Sequence, residues 1–132
     1  MATQHVEMVA VDREVWSGDA EVVNARTLDG EIGILANHAP LLGVLAEGHV
    51  VRIVTEGGEE LRFAAHGGFL QVSNNEVQVL VERAEAADEI DVDRARSAAE
   101  RHKDADDEDV EAQAAYQRAL ARLRAADADI PG

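Results

Sequence analysis

Arg83-Ala84-Glu85-Ala86-Ala87-Asp88-Glu89-Ile90-Asp91-Val92-Asp93-Arg94-Ala95 is the stretch in which the hydrophobic period of the chain changes. On its amino-terminal side, Glu76-Val77-Gln78-Val79-Leu80-Val81 places apolar residues on alternate positions, as a half-buried strand requires. On its carboxy-terminal side, Asp91 or Asp93 can cap a helix in a segment rich in Ala, Arg and Glu that holds neither Gly nor Pro before Pro131. The expected fold is α+β and mainly β. An antiparallel β-sandwich or flattened barrel over residues 1–86 is followed by an antiparallel two-helix hairpin over residues 87–132.

Working back from the joint, turn signals punctuate short apolar runs. Ser73-Asn74-Asn75-Glu76 separates Phe69–Val72 from Val77–Val81, Glu56-Gly57-Gly58-Glu59 separates His49–Thr55 from Glu60–Ala65, and Asp29-Gly30 separates Ala20–Thr27 from Glu31–Leu35. Val6–Val11 opens the series, Ser17-Gly18-Asp19 leads into the second strand, and Leu41–Leu45 follows the break at Asn37-His38-Ala39-Pro40. Gly67-Gly68 marks a place where only a residue without Cβ fits, at positive φ or where two backbones approach. Such evenly spaced strands argue for a sandwich or barrel.

Working forward, residues 91–103 and Val110–Ala126 read as two helices, broken by mutual repulsion among Asp104, Asp106, Asp107, Glu108 and Asp109. In the second helix Tyr116, Leu120 and Leu123 share a thin stripe, with Ala112 and Ala119 beside it. Small Ala faces allow close packing but bury little area, so the hairpin is expected to be weakly held and able to leave its docking place without unfolding the body.

Composition narrows the function. The apolar share of 46% suffices for a core, but aromatics are 3%, so that core must be aliphatic. A net charge of -15 argues against nucleic acid or an anionic membrane surface as partner, because phosphate neutralisation needs basic clusters. Cysteine is absent, which removes disulfides and thiolate zinc sites. No signal-like or membrane-spanning run is present, so a soluble cytoplasmic protein without direct membrane insertion is expected. No phosphate loop or nucleophile elbow occurs, and His5, His38, His49, His66 and His102 lack close ligand spacing.

Two motifs are specific. Glu31-Ile32-Gly33-Ile34-Leu35-Ala36-Asn37-His38-Ala39-Pro40-Leu41-Leu42 and Gly67-Gly68-Phe69-Leu70-Gln71-Val72 resemble signatures of the epsilon subunit of the bacterial rotary ATP synthase, in order, spacing and surrounding hairpins. The signature residues are Gly33, His38, Pro40, Gly67 and Gly68. Ala36 and His66 depart from it, standing where the family usually has Pro and a small residue.

The resemblance implies a non-catalytic subunit of the F1 sector, peripheral on the cytoplasmic side of the cell membrane. Its sandwich would bind the gamma subunit near the c-ring. Its helical arm would fold on the sandwich or extend toward the catalytic alpha and beta subunits and inhibit ATP hydrolysis. No cofactor would be required, but regulatory ATP is implied, because Ile90-Asp91-x-x-Arg94-Ala95 matches the nucleotide motif of ATP-binding family members. Aligning outward adds Glu85 and Arg101, and the second helix brings Arg118 and Arg122. Guanidinium forks suit triphosphate oxygens, and Glu85 and Asp91 can accept from an adenine amino group or a ribose hydroxyl. The same arginines also read as exposed partners for the many acids, Arg118 and Arg122 lying opposite the apolar stripe. Two other classes stay open: a free-standing ATP-binding regulatory module, and a metal-dependent barrel enzyme using His38 and His66.

Overall fold

The computed structural model describes residues 2–131; Met1 and Gly132, the outermost residues of the two expected domains, lie outside it. Seven strands come first: β1 (Gln4–Ala10), β2 (Glu14–Thr27), β3 (Gly30–Leu35), β4 (Leu41–Val44), β5 (Val50–Thr55), β6 (Glu60–Ser73) and β7 (Glu76–Ala86). A single 3-10 turn (Ala87–Glu89) then leads into α1 (Val92–His102) and α2 (Val110–Ala125).

The strands run in the order β1-β7-β6-β5-β2-β3, with β4 added to β6, and β1 pairs back onto β2. That last pairing closes the sheet on itself as a flattened barrel and removes most free edges. Two long strands make closure feasible. The first half of β2 pairs with β1 (Gln4 opposite Ala20, Met8 opposite Trp16), while its second half pairs with β5 and β3. The core is aliphatic: Val6, Met8, Val23, Ile34, Ile53, Leu70, Val72, Val77 and Val79 are almost fully buried, with Phe63 as its one buried ring.

The structure corrects three local expectations. Ser17-Gly18-Asp19 is not a lead-in but the middle of β2, where Gly18 lets the Trp16 ring lie close over the backbone; a Cβ there would stand 2.8 Å from the ring. Gly67-Gly68 does not separate two strands, because β6 runs through it, and the pair satisfies both expected conditions at once. Gly67 has φ of +63°, and a Cβ on Gly68 would meet the Leu80 carbonyl oxygen at 2.1 Å. Finally, the sheet is not antiparallel throughout, since β1 lies parallel to β7, His5 opposite Glu76 and Ala10 opposite Val81.

Both helices begin on an Asp. Asp91 accepts from the Arg94 backbone N–H at 3.1 Å and Asp109 from that of Ala112 at 3.0 Å, each satisfying an orphan donor of the first turn. The helices pack on each other through Ala95, Ala99, Ala119 and Leu123, with Val92 and Tyr116 at the margins. Helix α2 in turn rests on β5 and β6 through Ala121 and Ala125, which meet Val50 and Ala64 with Ile90 alongside. This second contact is small and built mostly of methyl groups.

Candidate functional site at the docked hairpin

The seam between α2 and the sandwich holds the strongest electrostatic arrangement among the described residues. Glu85, near the end of β7, accepts from Arg122 Nε at 2.7 Å and from His66 Nε2 at 3.1 Å, both on the same carboxylate oxygen. His66 is buried on β6, and the side chains of Glu85 and Arg122 are roughly three-quarters buried. The hydrogen bond from His66, with the Arg122 guanidinium, holds the Glu85 carboxyl down from 4.5 to about 2, against burial acting the other way. A carboxylate bridged in this way stays ionised throughout the neutral range.

Further clips flank it. The Arg124 guanidinium donates to the Gly48 carbonyl, and Arg62 lies 4.0 Å from Asp127. At the joint, Glu89 accepts from the Ala86 backbone N–H at 3.0 Å and from Arg13 at 3.3 Å, while Arg13 also donates to the Ala84 carbonyl at 3.1 Å. The Ala86 N–H and then Arg13 hold the Glu89 carboxyl below its ordinary range. The arm is thus docked by small side chains and fastened by charged hydrogen bonds.

Of the residues expected to form a nucleotide site, Glu85 and Arg122 are brought into direct contact. Ile90 packs between α2 and the sandwich, Asp91 is the α1 cap, and Ala95 is buried between the helices. Arg118 pairs with Glu111 at 2.9 Å. Arg94 and Arg101 are exposed on α1. The reading of Arg122 as an exposed partner for acids is corrected: α2 turns the side bearing Arg122 toward the sandwich. Among the signature residues, exposed Pro40 ends a loop in which His38 Nδ1 lies 2.7 Å from the Ala39 carbonyl, and the Asn37 N–H donates to the Asn75 side chain at 2.7 Å. Gly33 sits on β3, where a Cβ would stand 3.1 Å from Asn24 Oδ1.

Sequence reasoning missed His66, Arg13 and the Ala121–Ala125 contact. His66 was visible as a departure from the family signature and as a candidate metal ligand beside His38, not as a partner for Glu85, and Ala carries too little hydropathy contrast to mark a face. No group of three or more His, Cys, Asp or Glu able to hold a metal occurs among the described residues, and His38 and His66 serve separate local partners.

Elsewhere on the sandwich surface, an apolar row crosses four strands. Val44 stands opposite Phe69, Phe69 opposite Leu80, and Leu80 opposite Val9, with exposed Leu42 and Val11 extending the row.

A closed seven-stranded body with two helices packed on one side defines a delta/epsilon-type β-sandwich, and residues 3–87 match the family described as ATP synthase, Delta/Epsilon chain, beta-sandwich domain. The chain belongs to the ATP synthase epsilon chains. It is 50% identical over 125 residues to the epsilon chain of Mycolicibacterium vanbaalenii, covering 95% of this chain and 96% of that one. The epsilon chain of Streptomyces griseus is also 50% identical over 125 residues, covering 94% and 95%. Among solved structures, a chain of the Euglena gracilis mitochondrial ATP synthase (OSCP/F1/c-ring) superposes with a TM-score of 0.79 at 25% identity, over 96% of this chain and 82% of that one. A central stalk/c-ring chain of the Tetrahymena thermophila mitochondrial enzyme shares the fold, with a TM-score of 0.56 at 14% identity. The protein is therefore a non-catalytic subunit of the F1 part of an F-type ATP synthase. No helix among the described residues is long and apolar enough to cross a membrane.

Proposed function

We propose that the subunit couples the turning central stalk to the c-ring and restrains ATP hydrolysis through a releasable helical arm, on the cytoplasmic side of the cell membrane. The observation that carries this reading is the unequal attachment of α2. Its apolar contact with the body amounts to Ala121 and Ala125 on Val50 and Ala64, while its charged clips reach single groups. Methyl-sized contacts contribute little area-dependent stabilisation, and each charged hydrogen bond is worth about 1.5–3 kcal/mol. Docked and released states then differ by a few kcal/mol, a gap that alternative contacts on the alpha and beta subunits can offset.

The gamma subunit is assigned to the apolar row Val44, Phe69, Leu80 and Val9, beside a groove of about 460 Å3. An exposed apolar stripe of this kind marks a protein contact more often than a free surface, and it uses none of the residues that dock α2. Removing the chain from Glu89 onward in the assembled complex should raise ATP hydrolysis; unchanged hydrolysis would remove the inhibitory role.

ATP is the proposed ligand of the arm. Glu85 and Arg122 already face one another across the seam, so a triphosphate that draws Arg122 away from Glu85 would act directly on docking. Calorimetric titration with millimolar ATP tests this: uptake lost in Arg94→Ala supports it, and no uptake, or uptake unaltered by that substitution, sinks it.

A further inference from the structure

A separate cavity of about 320 Å3 opens where β2, β3 and β5 meet the carboxy-terminal end of α2. Arg26, Arg52 and Arg124 all line it, together with His49, Asn24 and Glu31. The chain has 12 Lys and Arg against 27 Asp and Glu, so the convergence of three guanidinium groups on one concavity runs against its overall charge. None of the three is fully committed. Arg26 lies 3.8 Å from Glu31 and Arg52 3.7 Å from Glu60, with these side chains about half exposed or more; pairs so long and so solvated contribute little. Arg124 donates one N–H to the Gly48 carbonyl and keeps others. The arginines also reach His49: burial first, then Arg124 and Arg26, push its imidazole below the ordinary value, with Glu31 acting the other way.

We infer that this cavity binds a small phosphate-type anion, inorganic phosphate or pyrophosphate, gripped by Arg26 and Arg52 from the sandwich and Arg124 from α2. Guanidinium forks match phosphate oxygens in geometry as well as charge, and the Asn24 amide adds a neutral donor. The volume lies near the lower end of the roughly 300–1,000 Å3 of ligand pockets, which suits one or two phosphoryl groups. Because the arginines come from both parts of the molecule, the bound anion ties the arm to the body. The site uses none of the residues of the nucleotide motif.

The test is a titration of the full chain with inorganic phosphate and with inorganic pyrophosphate, followed by calorimetry and by the His49 imidazole resonance. Saturable uptake is expected, with His49 titrating at higher pH in the bound form because the anion cancels the local positive potential. Arg26→Gln and Arg52→Gln should each weaken binding roughly tenfold, the equivalent of one charged hydrogen bond, whereas Arg94→Gln should leave it unchanged. Both substituted side chains are half exposed, and circular dichroism verifies that the variants fold. ATP separates the two sources of phosphate: uptake with the same dependence on Arg26 and Arg52 identifies the phosphoryl chain as the recognised group. The inference is overturned by no saturable uptake of pyrophosphate at about 10 mM, a range in which even weak sites fill. It is equally overturned by uptake that the Arg26→Gln/Arg52→Gln double variant leaves intact.

Discussion

Arg122 on the last helix donates to Glu85 on the last strand at 2.7 Å, across a seam otherwise formed largely by alanines. The two residues are 37 positions apart in the chain and belong to the parts expected to separate, so their bond reports directly on docking. In a double-mutant cycle with Arg122→Ala and Glu85→Ala, the coupling should be about 1.5–3 kcal/mol, the range for a charged hydrogen bond. Hydrogen exchange on α2 is the measurement, with the strands as internal reference. Faster exchange confined to the helices supports the assignment, and uniform acceleration across the strands would contradict it.

Acid should release the same contact. The Glu85 carboxyl titrates at about 2 in the folded chain against 4.5 ordinarily, so its contribution is complete above the ordinary value and fades as pH falls through the folded one. Carboxyl-carbon NMR should therefore place Glu85 near 2, and His66→Ala or Arg122→Ala should move it back toward the ordinary range.

Asp91 caps α1 and lies in the segment proposed to meet ATP, and the observed role can be separated from the proposed one. Asp91→Ser keeps a capping oxygen and should preserve helix content, while Asp91→Ala should cost about 1 kcal/mol of helix stability. If the carboxylate also accepts from adenine or ribose, Asp91→Ser loses ATP binding with the hairpin intact; calorimetry and circular dichroism on one sample decide.

The paired glycines should respond unequally to alanine. Gly67→Ala meets a positive φ and should cost about 1–2 kcal/mol. Gly68→Ala drives a methyl into the Leu80 carbonyl and should cost above about 3 kcal/mol, since backbone must move. Thermal denaturation of both variants ranks them; equal losses would mean that β6 and β7 part easily there.

Much of this architecture was legible because it is written in strong local signals. Asp29-Gly30, Gly57-Gly58 and Asn74-Asn75 all fall in or beside the tight turns they announce, and Asp91 and Asp109 both cap. What escaped depends on partners distant in sequence. The parallel β1–β7 pair leaves no mark on local periodicity, and continuity of β6 through two glycines rests on ladders to β4 and β7. The stripe of Tyr116 and Leu123 reports the packing of α2 on α1, whereas its docking face uses Ala121 and Ala125, which look like any other helix filler. Half of the Glu85–Arg122 contact was therefore read in the right residues and on the wrong side of the helix.

Strand β7 pairs antiparallel with β6 along its length and parallel with β1 up to Val81, and the chain leaves it through a single 3-10 turn for the arm. A pull on the helices is thus delivered along the axis of a central strand, where yielding requires many bonds of two ladders to slide together instead of opening one at a time. The body is expected to hold as a stiff anchor under tension, while the arm peels from its alanine seam at lower force. In a rotating shaft, the proposed release of the arm would then let it swing without loosening its mount.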